Sequence, residues 1–292
     1  MPNQIRLSEL RIGAIINTSS GSCDVESEQT MLDILTRMGA ARPKVWCGEG
    51  KQIEEFLADA HGHKLDILAV LGGDGTIRRT AETCSEKSPY LIPLPGGTMN
   101  ILPRALYGNL AWQEALETTL AAPSTKELSA GRVGNRQFLV AAILGTPALW
   151  VEAREAVRDG GIIEVIEKGN VALKNMFGTK LRYHVSDQAK GEAETLVVIC
   201  PLVSQEMSGS EQALEVAAIG FESAAEVIRL ATAAAFGKWR DDEKVQVTRT
   251  RRLAVQSDKE IPATLDGENV NLGTDAEIEF VSRALTVLVP GK

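Results

Sequence analysis

DILAVLGGDGT, residues 66–76, is a run of five apolar residues, Ile67 to Leu71, that breaks into three glycines, an aspartate and a threonine. A short, β-branched-containing apolar run bounded by glycine reads as a strand buried on both faces, and the residues after it read as a helix. The same grammar recurs on both sides. RIGAII (11–16) runs into the polar turn NTSSGS, and VESEQTMLDILTRMG (25–39) follows with apolar residues at helical spacing and a terminal glycine. KVWC (44–47), QIEEFLADA (52–60) and YLIPL (90–94) continue the alternation, the last ending in the turn Pro95-Gly96-Gly97-Thr98. Strand and helix in regular succession predict an α/β domain with a parallel sheet covered by helices.

From about residue 128 the texture changes. KELSAGRVG, RQFLVAAIL, TKLRYHVSD, AETLVVICP, EKVQVTRTRRLAVQS, EIPATLDGE, AEIEFVS and ALTVLVP alternate polar and apolar residues, the pattern of strands with one wet face. Two helical stretches interrupt them, at 148–161 and 222–237. The second half is therefore expected to be a mostly antiparallel β-sandwich. The division runs 1–128 for the α/β domain and 129–283 for the sandwich.

The 292 residues are 44% hydrophobic and 24% charged, which places the chain among ordinary globular proteins and excludes disordered and fibrous classes. Lys+Arg 31 against Asp+Glu 39 gives a formal charge of −8, so no broad cationic surface awaits nucleic acid. Cys23, Cys47, Cys84 and Cys200 are scattered without metal-type spacing and read as reduced thiols of a cytoplasmic protein. No apolar signal region opens the chain, and the longest apolar runs fall far short of the roughly 20 residues of a spanning helix. No transmembrane segment is expected, and membrane contact is expected to be peripheral.

The glycines of Gly72-Gly73-Asp74-Gly75-Thr76 let the backbone turn sharply at the carboxyl edge of a parallel sheet, where ligands bind and N–H groups can face a phosphate. Thr76 is placed to cap the following helix. Asp74 would repel a phosphate unless it holds a cation or takes a proton from an incoming hydroxyl; the lesser local reading of the stretch is a plain strand-to-helix turn. Pro95-Gly96-Gly97-Thr98-Met99-Asn100 and Asn17-Thr18-Ser19-Ser20-Gly21 offer similar small and hydroxyl-bearing turns at the same edge. Three such turns in consecutive units favour a nucleotide phosphate site. Leu265-Asp266-Gly267-Glu268 reads on its own as an Asp-Gly hairpin turn. His61 and His63 sit in a surface turn, Arg249, Arg251 and Arg252 alternate on a strand as a solvated face or a contact for anionic headgroups, and Trp112, Trp150 and Trp239 fall on helical stretches. P-loop, dinucleotide-binding, zincin and esterase motifs are absent from the sequence.

GGDGT, then PGGTMN about 20 residues on, then DGE near the end, with a polar turn after the first strand, resemble the lipid kinases of the diacylglycerol kinase catalytic family, which includes sphingosine and ceramide kinases. The resemblance implies a first domain of the kind shared with NAD kinases, a β-sandwich, ATP in the cleft between them, and a last strand, about 284–292, that returns to the first domain. It implies that Asn17, Thr18, Ser19 and Gly21 line the nucleotide and that Gly73, Asp74, Gly75 and Thr76 hold its phosphates. Gly97, Thr98 and Asn100 match the family's GTxN turn, and Asp266 and Glu268 its DGE. Asp74 ranks first and Asp266 second as catalytic base. ATP and Mg2+ are the implied cofactors. The implied partner is a lipid substrate (diacylglycerol, ceramide or a sphingoid base) met at the inner face of a membrane, and a homodimer follows by analogy. The stretches 148–161, 162–178 and 222–237 are the candidates for lipid access.

Departures are specific. The family's glutamate three residues after the threonine is Arg79 here, its NP turn is Asn17-Thr18, and the acid after GTxN is Ile101, whereas Arg104 matches a frequent family arginine. Two rivals stand beside the lipid kinase: a NAD kinase, which shares GGDGT, and a family member that binds nucleotide or lipid without catalysis.

Overall fold

The computed structural model describes residues 7–21, 23–84, 89–145, 180–185, 189–209, 211–220, 226 and 239–291. The chain divides into two compact units, one of residues 1–130 and 281–292 and one of residues 131–280. The stretches 148–161, 162–178 and 222–237, with Trp150, lie outside the described residues, Glu226 excepted.

The first unit is built from β1 (Ile12–Asn17), α1 (Glu26–Arg37), β2 (Lys44–Gly48), α2 (Ile53–Gly62), β3 (Ile67–Gly72), α3 (Asp74–Thr83), β4 (Tyr90–Pro95), α4 (Ile101–Tyr107) and α5 (Trp112–Ala121). Strands pair in the order β2-β1-β3-β4, all parallel. Every residue of β1 and β3 is buried, because helices cover both faces, which is why these strands read as unbroken apolar runs. Ile12, Ala14 and Ile16 of β1, with Ile67, Ala69 and Leu71 of β3, pack under Met31, Ile34 and Leu35 of α1 and Trp112, Ala115 and Leu116 of α5. The opposite face carries Ile15, Val70 and Leu91, with α2 and α3 against β1 and β3.

Connectivity matters more than layering for the site. From β1 the chain steps outward to β2 and then crosses back past β1 to β3, so strand order reverses between β1 and β3. In open parallel sheets the crevice at the carboxyl ends of the strands flanking such a reversal is where ligands bind. The turns that leave β1 and β3 are NTSSG and GGDGT.

The second unit is all β among its described residues, apart from short 3-10 turns and Glu226. Part of β5 (Pro123–Val133) pairs with β6 (Arg136–Phe138) as a hairpin; then come β7 (Ala141–Gly145), β8 (Leu181–Val185), β9 (Ala189–Ala193), β10 (Thr195–Ile199), β11 (Leu214–Ile219), β12 (Val245–Thr250), β13 (Arg252–Gln256), β14 (Pro262–Leu265), β15 (Glu268–Asn271) and β16 (Asp275–Pro290). One antiparallel sheet has the order β12-β11-β10-β7-β14-β15, and a second pairs β16, β13, β8 and β9. Strand β8 alternates buried and exposed residues throughout. Leu144, Leu196, Val198, Val216 and Leu265 of the first sheet meet Leu181, Tyr183, Leu253, Val255 and Ile278 of the second in one core. This is the sandwich the alternating sequence calls for.

Candidate active site

Four chain turns meet at the carboxyl edge of the first unit's sheet, and side chains fasten each to the next. Asn17, buried at the end of β1, donates from Nδ2 to Thr76 Oγ1 at 2.8 Å and accepts at Oδ1 from Ser19 N–H at 3.0 Å. Ser20 Oγ accepts from Gly73 N–H at 3.2 Å, and Ser19 Oγ accepts from Gly50 N–H at 3.1 Å. Thr18 N–H bonds to Gly48 O at 2.9 Å. The turn after β1 is thereby tied to the turns after β3 and β2.

The third glycine turn closes on the second at van der Waals distance. A Cβ on Gly97 would stand 2.6 Å from the Gly73 Cα, and one on Gly96 2.7 Å from Gly72 N, so only glycine permits the approach. Gly21 faces Thr98, whose Oγ1 a Cβ would meet at 3.0 Å. Asn100 holds the turn from its other end. It adopts the left-handed conformation (φ 51°, ψ 44°) and exchanges two 2.7 Å bonds with Gly97, accepting from its N–H and donating to its carbonyl. Asparagine is among the few side chains that tolerate this backbone.

Helix α3 begins at Asp74, earlier than sequence reading places it, and Gly73 rather than Thr76 occupies the cap position with extended backbone (φ −80°, ψ 171°). Thr76 lies inside the first turn, its hydroxyl taken by Asn17. The N–H groups of Asp74, Gly75 and Thr76 donate to nothing among the described residues. Unpaired N–H groups at the start of a ten-residue helix, bordered by glycines, are the chemistry of a phosphate site.

Asp74 does not point into that set of donors. Its Oδ2 accepts from Ile101 N–H and its Oδ1 from Leu102 N–H, each at 3.0 Å, so its carboxylate caps α4 across the gap between the second and third turns. Cys23 lies beneath the same turns, with Sγ 3.4 Å from Gly96 O, and burial pushes its thiol up to about 11. It is protonated at neutral pH and a poor nucleophile. All four cysteines are free thiols.

Asp266 and Glu268 belong to the second unit. Asp266 (φ 48°) and Gly267 (φ 88°) form the two-residue turn between β14 and β15, with Leu265 opposite Glu268, the backbone that favours Asp-Gly in tight hairpins. The Asp266 carboxylate accepts from Leu139 N–H at 2.7 Å and from Val140 and Ala141 N–H at 2.9 Å each. Glu268 is partly buried at the start of β15.

Of the other residues singled out from sequence, Arg79 is half-exposed and lies 3.9 Å from Glu54 of α2. Arg249 is held by Glu211 and by Glu206 O, Arg251 donates to Gln212 O and stacks 5.1 Å from the Phe280 ring, and Arg252 pairs with Glu279. These arginines fasten their own domain. His63 packs with Lys44 and Asp59, and among the described residues no group of three or more His, Cys, Asp or Glu could hold a metal. Trp112 is core, while Trp239 stacks under Arg240 at 4.3 Å. Sequence reading includes Ser20 in the first turn without giving it a role of its own, and it passes over the Gly48–Gly50 turn. Ser20 sits in a run of three hydroxyl residues that local pattern cannot tell apart, whereas GEGK (48–51) carries the same glycine signal as the other turns.

Comparison with solved structures matches the fold over nearly the whole chain. A diacylglycerol kinase from Bacillus anthracis str. Sterne superposes with a TM-score of 0.69 over 96% of both chains at 15% identity. A second crystal structure from the same organism, attributed to a diacylglycerol kinase, gives 0.71 over 96% of this chain and 97% of that one at 18% identity. At these identities the likeness shows the fold. The sequence itself matches the diacylglycerol kinase catalytic domain over residues 11–133, the span that contains all four turns of the site. Residues 11–133 thus resemble the diacylglycerol kinase catalytic domain in sequence, and the glycine turns within that span are the ones brought together at the sheet edge.

Proposed function

We propose that this protein is an ATP-dependent lipid kinase that transfers the γ-phosphoryl group of ATP to the primary hydroxyl of a membrane lipid of the diacylglycerol, ceramide or sphingoid-base class. The observation that carries the reading is the glycine cradle at the β1/β3 reversal, with the N–H groups of Asp74, Gly75 and Thr76 donating to nothing among the described residues at the start of α3. Its glycines admit a phosphate against the backbone, and fixed N–H dipoles stabilise phosphoryl charge without reorganising. Phosphoryl transfer asks the protein mainly for such positioning.

Mg2+ fits this donor set as a metal carried by the phosphates. Such an ion keeps waters and one or two carboxylates, supplying charge neutralisation on the transferring group. Asp74 is the carboxylate of this cradle, and the amides of Ile101 and Leu102 take two of the roughly four lone-pair directions of its oxygens. Asn17, Thr18, Ser19 and Gly21 would line the nucleotide, Gly97, Thr98 and Asn100 would shape the far wall, and Glu268 matches the glutamate of the family's DGE. The chain would work at the inner face of a membrane as a peripheral protein; among the described residues no helix is long and apolar enough to cross one.

The test is transfer of labelled phosphate from Mg-ATP to detergent-dispersed diacylglycerol, ceramide, sphingoid base and NAD, comparing wild type with Asp74→Asn. A labelled lipid that is lost in the variant supports the kinase and names its acceptor. Label on NAD would overturn the lipid assignment, and ATP binding without label on any acceptor would indicate a binder without catalysis.

A further inference from the structure

We infer that Asp266 is a positioning residue, an anchor that fixes the turn before β7 and through it the Asp-Gly hairpin bearing Glu268, and not the base that removes a proton from the acceptor. Four observations converge. Both carboxylate oxygens are engaged by three consecutive backbone donors, Leu139, Val140 and Ala141, at 2.7–2.9 Å. The Asp266 N–H closes the loop by donating to Ala141 O at 2.9 Å. The segment is held from its other side by Cys200, whose N–H donates to Val140 O at 2.9 Å and whose Sγ lies 3.4 Å from Phe138 O. Leu139 and Val140 are themselves buried.

A chain turning into a sheet with three adjacent N–H groups pointing one way needs an acceptor for them, since buried unpaired donors are costly. A carboxylate, with two oxygens and about four lone-pair directions, is the side chain that can satisfy all three. The left-handed backbone at Asp266 aims it there, and Gly267 completes the turn so that Glu268 follows opposite Leu265. A base must leave a lone pair facing the hydroxyl it deprotonates, whereas backbone amides take three of the roughly four lone-pair directions of the Asp266 carboxylate, one more than at Asp74. An amide in its place offers one accepting oxygen and turns an NH2 towards an N–H.

The inference rests on the kinase reading only for its kinetic arm, so the test has two. Amide hydrogen exchange on the full chain is expected to show Leu139, Val140 and Ala141 protected in wild type and exchanging at least about tenfold faster in Asp266→Asn and Asp266→Ser, the scale of a lost charge-assisted bond. Unchanged exchange at these three amides would overturn the anchor. In the transfer assay, Asp266→Asn is expected to lower kcat at least about tenfold per folded molecule, with KM for ATP and the acid limb of the pH profile retained. Loss of the acid limb would make Asp266 the titrating base and overturn the proposal. A lowered melting temperature with unchanged kcat would overturn it too, since the anchor would then serve stability alone. Absence of turnover in wild type would count against the kinase reading, while the exchange arm still decides the anchor.

Discussion

Gly97 and Gly73 carry the tightest approach in the site, 2.6 Å between a Cβ on Gly97 and the Gly73 Cα, and the atom in the way is backbone. Gly97→Ala therefore forces the two turns apart. Overpacking costs about 1–3 kcal/mol, which corresponds to a loss of ATP affinity of roughly 5- to 150-fold if the separation falls on the bound geometry. Calorimetric titration with Mg-ATP checks this, with Gly62→Ala as the control: nothing lies within 4 Å of a Cβ there, at the end of α2, and affinity is expected to stay at the wild-type value. Equal affinities for the two variants would mean that the approach has no bearing on the nucleotide. At this scale the sequence was legible where a residue has one physical use. Glycine where backbones touch and asparagine at φ 51° belong to that class. Asp74 was not legible in the same way, because a carboxylate serves equally as base, metal ligand or helix cap, and only the amides of Ile101 and Leu102 show which contacts it makes.

Among elements, α4 depends on a residue 27 positions away in sequence. It has no side-chain cap of its own, and its first N–H groups are met by Asp74. Asp74→Asn keeps one acceptor and sets an NH2 against the other donor, so it is expected to destabilise the first unit by about 1–2 kcal/mol, read as a lower urea midpoint, besides abolishing transfer. A change in transfer with no change in midpoint would remove the cap argument. The opposite edge of the sheet is pinned differently. Asp66, ahead of β3, accepts from the N–H and guanidinium of Arg11 ahead of β1, and these bonds hold its carboxyl below the usual carboxylate range. A carboxyl so depressed adds stability that is complete above its unfolded value, near 3.9, and is lost as pH falls through the lower folded value. With both partners a third or more exposed, the contribution is about 1 kcal/mol or less. Asp66→Asn should lower the urea midpoint at pH 7 and lose that deficit as pH falls below the unfolded value and through the lower folded one; a deficit that persists in acid would contradict the linkage. Strands and helices of this unit were legible because both faces of its sheet are covered. The start of α3 was not, since its cap is a glycine whose N–H is met by a serine from another turn.

For the molecule as a whole, the consequential fact is that the first unit is discontinuous. The family match ends at residue 133, yet residues 281–292 belong to the first unit. There β16 pairs in parallel with β4, Val287 opposite Leu91, and buries Leu285, Val287 and Leu288. The Tyr107 hydroxyl donates to Leu288 O at 3.2 Å, and Gly291 N–H donates to Ala122 O at 2.6 Å. No local pattern in ALTVLVP reveals this, because the same alternation suits an antiparallel sandwich strand as well as the last strand of a parallel sheet. Burial of three aliphatic side chains is worth about 1.5–3 kcal/mol each, which together approaches the whole 5–15 kcal/mol that holds an ordinary domain folded. A chain ending at Phe280, or one limited to residues 1–133, is therefore expected to lack a cooperatively folded first unit and to lose ATP binding even though every glycine turn of the site is present. Thermal unfolding followed by near-ultraviolet circular dichroism, with ATP titration of the same samples, checks this. A truncated chain that melts cooperatively and binds ATP with wild-type affinity would show that the four turns are stable without their closing strand, and would place the limit of the catalytic fold at the family match.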